Sequence, residues 1–182
     1  MESTSLASTS SILEPGLWQL DPVRERYRVP ACGVIVVELY PDDVLMVRDP
    51  EGSQLGEIVP FSPEGKGDPG ILGIEKSQPA DGLHQILCGY SESAGRVRSG
   101  LESKGIGPNS AQAAVIFSQD SPPGAELRFT ITSRTTCAIA AIGTQMSVAG
   151  DTLPPTDLEV FIYRATPHEE DEKELPDPLA AP

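Results

Sequence analysis

His84 carries the strongest chemical signal in this 182-residue chain. It stands between a turn-forming stretch, Pro79 to Gly82, and the apolar run after it, where a loop side chain can face a pocket. An imidazole there can serve as acid, base or ligand near neutral pH. The competing reading is a partly buried histidine bonded to a backbone carbonyl. Glu57 is the carboxylate that burial could turn into a general base; otherwise it is an exposed charge at a strand edge. Gln54 can bind an amide, guanidinium or carboxylate through paired hydrogen bonds, or it can satisfy loop backbone groups. Gln54 and Glu57 are three positions apart, so within one strand they cannot share a face. Arg96 and Arg98 are a close basic pair that could clamp a carboxylate or lie on a solvated helix face.

The three cysteines are Cys32, Cys88 and Cys137, an odd number without the close pairing of a zinc knuckle. Cys137 sits in an apolar run and reads as a buried, inert thiol, and Cys32 reads similarly. Cys88 is ambiguous between packing and chemistry. Gly65-Lys66-Gly67 lacks the spacing and the following hydroxyl of a phosphate-cradling loop. No Gly-x-Ser-x-Gly nucleophile elbow occurs.

These residues must be held by strands. The chain has 18 prolines and 17 glycines, spread throughout, which suits short strands and turns better than long helices. Val34 to Phe61 reads as three strands broken at Pro41-Asp42-Asp43 and at Asp49 to Gly52. Ser62 to Gly73 reads as a long loop and Leu83 to Cys88 as a short strand or turn. Ser93 to Lys104 is the best helix, with Val97 and Leu101 at helical spacing and Gly105 as its stop. Ala113 to Phe117, Leu127 to Thr132, Cys137 to Ile142 and Leu158 to Tyr163 complete about eight strands. The expected fold is mainly β, an antiparallel β-barrel or sandwich with one or two short helices. Residues 1–15 are expected to be a disordered N-terminal segment, 16–166 a single β-rich domain, and 167–182 an acidic disordered tail.

Thirteen Lys and Arg face 27 Asp and Glu, a net charge of −14, which opposes nucleic-acid and anionic-membrane partners. No run of about twenty apolar residues spans a membrane, and the N-terminus lacks the pattern of a secretory signal. The expected location is the cytoplasm, with reduced thiols.

Two blocks resemble the urea-carboxylase-associated domain family. The first is Val37, then Asp43-Val44-Leu45-Met46-Val47-Arg48-Asp49, Glu51-Gly52-Ser53-Gln54 and Glu57-Ile58-Val59-Pro60-Phe61. The second is Pro123-Gly124-Ala125-Glu126-Leu127, then Ala140 to Met146, Gly150, and Pro154-Pro155-Thr156-Asp157-Leu158-Glu159-Val160. The resemblance implies a barrel-like β fold and a site for small nitrogen compounds. Family members occur beside urea or guanidine carboxylases or fused to folate-binding aminomethyltransferase-like domains. It also implies Gln145 as a site-lining residue, with Met146 as core.

Relatives in that family are thought to bind zinc through cysteines near a His-Asp pair. Here the pair reads His84-Gln85, and the later cysteine block reads Gly143-Thr144-Gln145-Met146. Only His84 and Cys88 remain as ligands, short of the three or four a zinc site needs. The expectation is therefore no cofactor, with zinc, which the resemblance allows, disfavoured in this chain. The expected function is a small-molecule enzyme acting on a small polar nitrogen compound by acid–base hydrolysis, elimination or isomerisation. His84 and Glu57 would be catalytic, and Gln54, Gln145 and Arg96 would bind substrate. A specialised pathway suits this reading. The alternative is a non-catalytic ligand-binding unit, or a partner subunit of a larger enzyme or of a homo-oligomer.

Overall fold

The computed structural model describes residues 18–21, 24–107, 111–143 and 154–165. The two terminal segments, together with Gln145 and Met146, lie outside the described residues. The chain opens with β1 (Trp18–Asp21) and β2 (Arg24–Val29). In β2, Tyr27 and Val29 turn inward while Arg26 and Arg28 turn out. Its period of two is real, but its inward face includes a glutamate and its outward face is arginine, so hydropathy alone does not reveal a strand.

Next come β3 (Val34–Leu39), β4 (Val44–Asp49) and β5 (Leu55–Phe61), separated by the two Asp-rich turns seen in the sequence. Asp42, Gly52 and Ser53 take φ values of 69, 80 and 61°, the left-handed backbone those turns require. After β5, Pro69–Leu72 forms a single 3-10 turn, and β6 is only Gln78–Pro79. Two helices follow, α1 (Asp81–Leu87) and α2 (Glu92–Ser103). The last strands are β7 (Gln112–Phe117), β8 (Ala125–Thr130), β9 (Thr135–Ile142) and β10 (Leu158–Tyr163).

The α1 segment corrects the strand-or-turn reading of Leu83 to Cys88. Leu83 and Leu87 are four residues apart and both are buried, so one helical face presses onto a sheet. The seven-residue run is short enough for its helical spacing to pass as a single apolar strand.

The strands form two five-stranded sheets, β1-β2-β10-β4-β8 and β3-β9-β5-β7-β6, with antiparallel pairing throughout. No described strand pairs with both sheets, so the architecture is the sandwich and not the closed barrel. The core between the sheets includes Leu45, Val47, Ile58, Ile139, Val160 and Ile162, each fully buried. Each such side chain contributes about 1.5–3 kcal/mol of burial. A second apolar layer, with Val59, Phe61, Leu83, Val97, Leu101 and Ala138, joins the outer face of the β5–β9 sheet to the two helices.

From β2 to β5 and from β7 to β10 consecutive strands alternate between the sheets, so those connections gather at two ends. One end holds the Pro30–Gly33 turn, the 50–54 loop, the exit of β9 at Gly143 and the entry to β10. The other holds the start of β2, the Tyr40–Asp43 turn and Arg164.

Candidate functional site

At the Gly143 end the polar side chains are directed at backbone. Gln54 is 3% exposed. Its Nε2 donates to the carbonyls of Leu55 (2.7 Å) and Ile142 (2.8 Å), and its Oε1 accepts the Thr156 N–H at 2.6 Å. One amide thus joins the start of β5, the end of β9 and the approach to β10. Asp49, fully buried, accepts the N–H groups of Gly52 (2.9 Å) and Gln54 (3.1 Å), which fixes the loop that presents Gln54. Asp157 accepts the Ala31 N–H at 2.8 Å and ties down the neighbouring turn. In that turn Cys32 is exposed and held at φ 57°, an uncommon conformation for a residue with a Cβ. Its sulfur lies so close to Gly143 that a Cβ there would sit 2.8 Å from it. The exit of β9 is therefore a crowded corner shared by Cys32, Gln54 and Gly143.

Glu57 lies three positions past Gln54, on the face of β5 that packs against the helices, together with Val59 and Phe61. It is 3% exposed, not the edge charge of the alternative reading. The Leu83 N–H donates to Oε2 at 3.0 Å, and the Gly82 N–H and the Gln78 amide donate to Oε1 at 3.4 Å each. The physical reason is plain at the start of α1. The N-cap residue is Ala80, which has no side-chain acceptor for the orphan N–H groups of a first turn. Glu57 supplies that acceptor from the neighbouring strand. Gly82 makes the approach possible: a Cβ there would meet Glu57 Oε2 at 2.8 Å and crowd Ile142 as well.

His84 follows Leu83 directly on α1, so the helix turn that binds Glu57 carries the imidazole. The two side chains themselves are on opposite sides of the helix. Glu57 is beneath it, whereas His84 is exposed and its Nε2 lies 3.4 Å from the Cys88 sulfur, one turn on. No hydrogen bond joins His84 to Glu57 among the described residues. Arg98, on α2, donates to the carbonyls of Leu87 and, at 3.5 Å, Gly89, on either side of Cys88. Arg96 occupies the outer face of α2 and pairs with Glu92 at 3.2 Å, away from Gln54 and Glu57. Gln145, two residues beyond Gly143, lies outside the described residues. The structure thus brings Gln54 and Glu57 to one corner with the first turn of α1, places His84 on that helix's outward side, and leaves Arg96 apart.

Among the described residues zinc finds no full ligand set: no group of three or more His, Cys, Asp and Glu side chains could hold a metal ion. His84 and Cys88 supply two ligands, which does not fit a tetrahedral protein site. All three cysteines are free thiols, and burial pushes that of Cys137 up and keeps it inert. No helix among the described residues is long and apolar enough to cross a membrane.

Sequence reasoning missed Asp49, Asp157, Cys32 and Gly82 as parts of this corner. Only Asp49 left a local signal, as an Asp three residues before a turn glycine-serine pair; the others act through contacts distant in sequence.

The fold and this corner define an antiparallel β-sandwich whose β5–β9 sheet carries two helices and a buried carboxylate. No protein-family model matches the chain. The chain is 36% identical, over 174 residues, to the trimethylamine-oxide aldolase of Ruegeria pomeroyi. The match takes in 95% of this chain and 22% of that protein, so the chain spans about a fifth of the length of the curated relative it matches.

Proposed function

We propose that this chain is a small-molecule enzyme unit acting on a small polar nitrogen compound, an N-oxide or amine, by acid–base chemistry on the α1 side of the Gly143 corner. The observation that carries the reading is the 36% identity over nearly the whole chain to a protein named for its action on trimethylamine oxide. The resemblance to the urea-carboxylase-associated family belongs to the same reading, because it too points to small nitrogen compounds. His84 is the proton-transfer group: it is exposed, and it is fixed on a helix whose first turn is tied down. Glu57 holds that turn and acts on His84 as a positioning residue. Gln54 shapes the corner, with Gln145 as a further substrate contact; Arg96, paired with Glu92 on the outer face of α2, stands apart from it. No metal is required. The three free thiols suit the cytoplasm.

One observation favours a second reading, a ligand-binding unit or partner subunit without its own turnover. The matched relative is several times longer than this chain, and the buried polar atoms of Gln54 and Glu57 are already engaged. Incubating the purified chain with trimethylamine N-oxide, urea and guanidine, and following substrate loss and aldehyde release, separates the two. Turnover that falls about a hundredfold in His84→Ala supports the enzyme. Saturable binding without turnover selects the second reading. Neither binding nor turnover with any of the three compounds overturns both.

A further inference from the structure

We infer that Cys88 is a reactive thiol, with His84 as its base, that undergoes exchange with low-molecular-weight disulfides on the outer face of α1. The reading rests on geometry. His84 and Cys88 are four residues apart on one helix face, both exposed, with Nε2 and Sγ 3.4 Å apart. With its proton on Nδ1, the imidazole accepts the S–H proton at Nε2. Nucleophile and base within hydrogen-bond reach is the arrangement that activates a thiol.

Cys88 is at the C-cap of α1, where the unpaired carbonyls of a helix end would oppose a thiolate. Arg98 answers that opposition. Its guanidinium bonds the Leu87 and Gly89 carbonyls that flank Cys88, so a cation covers the negative end of the helix beside the sulfur. The molecule also holds its own controls. Cys32 is equally a free exposed thiol, but no imidazole or guanidinium bonds it among the described residues. Cys137 is fully buried.

The step balances. The Cys88 proton passes to His84, and the thiolate attacks one sulfur of R–S–S–R. The S–S bond breaks and Cys88–S–S–R forms. The departing R–S⁻ takes the proton from His84 and leaves as R–SH. The adduct removes the hydrogen that links Sγ to Nε2 and covers the imidazole, which couples thiol state to the availability of His84. The inference stands apart from the nitrogen-compound reading, because the adduct forms and is weighed with no such compound present.

The experiment exposes the purified chain to glutathione disulfide and follows each cysteine by peptide mass spectrometry. In the wild-type chain Cys88 is thiolated about tenfold faster than Cys32, and Cys137 stays unmodified until the protein is denatured. In His84→Asn the Cys88 rate drops to about that of Cys32 while the Cys32 rate is unchanged. Equal rates at Cys88 and Cys32 in the wild type, or an unchanged Cys88 rate in His84→Asn, would overturn the inference. The first comparison is made within one molecule and does not depend on a variant folding.

Discussion

The two ends of the sandwich solve the same problem in opposite ways. At both, buried polar side chains close the gap where strands cross between sheets. At the Arg164 end the closure is charge to charge. Arg164 grips Glu25 with two bonds, Nε at 2.8 Å and Nη2 at 3.0 Å, and its Nη1 reaches Asp43 at 2.6 Å and the Glu38 carbonyl at 2.9 Å. Burial works against the guanidinium, yet the bonds and charges of Glu25 and Asp43 outweigh it and hold its pKa above the usual value. The Tyr27 hydroxyl donates to Glu25, and burial followed by that bond pushes the phenol up. At the Gly143 end the closure is side chain to backbone, through Gln54, Asp49 and Glu57. The first end is a lock centred on an ion-pair cluster, to which the Glu38 carbonyl and the Tyr40 and Ala165 N–H groups are also bonded. The second shapes backbone, and the backbone it shapes carries Cys32, Gly143 and α1.

The sharpest way to break this contrast is Arg164→Leu. It leaves Glu25 and Asp43, with side chains 18% and 1% exposed, facing each other without a cation. Removing one partner of a buried ion pair costs about 3–5 kcal/mol, so the urea midpoint should fall steeply. A loss under about 1 kcal/mol would mean that the Arg164 end is not a lock. Gln54→Leu should cost less, about 2 kcal/mol, since it strands the carbonyls of Leu55 and Ile142 and the Thr156 N–H. The two variants separate in a ligand-binding readout. A ligand that binds the folded chain raises its melting temperature. The rise given by a bound nitrogen compound should survive in Arg164→Leu and vanish in Gln54→Leu; survival in both moves the site away from the Gly143 corner.

How much of this was legible in the sequence follows from the range of each contact. The strands of Val34 to Phe61 are announced by their own turn residues, and α2 by Val97, Leu101 and Gly105. Gln54 and Glu57 are recognisable as polar residues inside an apolar stretch, and both are buried. What they bind is not legible, because Ile142 and Thr156 are 88 and 102 residues from Gln54. Arg164 escaped notice altogether: it looks like an ordinary charge before the C-terminal tail, and its carboxylate partners are 121 and 139 residues away. The helix α1 was misread because its cap comes from another strand. An alanine at the N-cap gives no start signal when the acceptor is Glu57.

Glu57→Gln tests that substituted cap at smaller scale. The amide keeps the shape and one acceptor oxygen, but its NH₂ faces N–H groups that need an acceptor. The expected loss is about 1 kcal/mol, with hydrogen exchange at Leu83 and Gly82 accelerated and exchange in β9 unchanged. Faster exchange spread evenly over the sheet would show that Glu57 holds the sandwich as a whole instead of the first turn of α1.

The smallest effect belongs to the rim of the Arg164 end, where Glu38 pairs with Lys104 and lies 3.5 Å from Arg134. Burial raises the Glu38 carboxyl, but the hydrogen bond and charge of Lys104, then the charge of Arg134, outweigh it and hold its pKa below the ordinary value. Because the folded value is the lower one, the unfolded chain takes up the proton first. The stabilisation is therefore complete above about pH 4.3 and is lost as the pH falls through the folded value. The side chains are a quarter or more exposed, which limits the pair to about 0.5 kcal/mol. Lys104→Gln should lower stability by that amount at pH 7 and converge with the wild type in the acid limb. A gap that persists or widens below pH 4 would show that Lys104 stabilises the helix end by packing and not through the Glu38 charge.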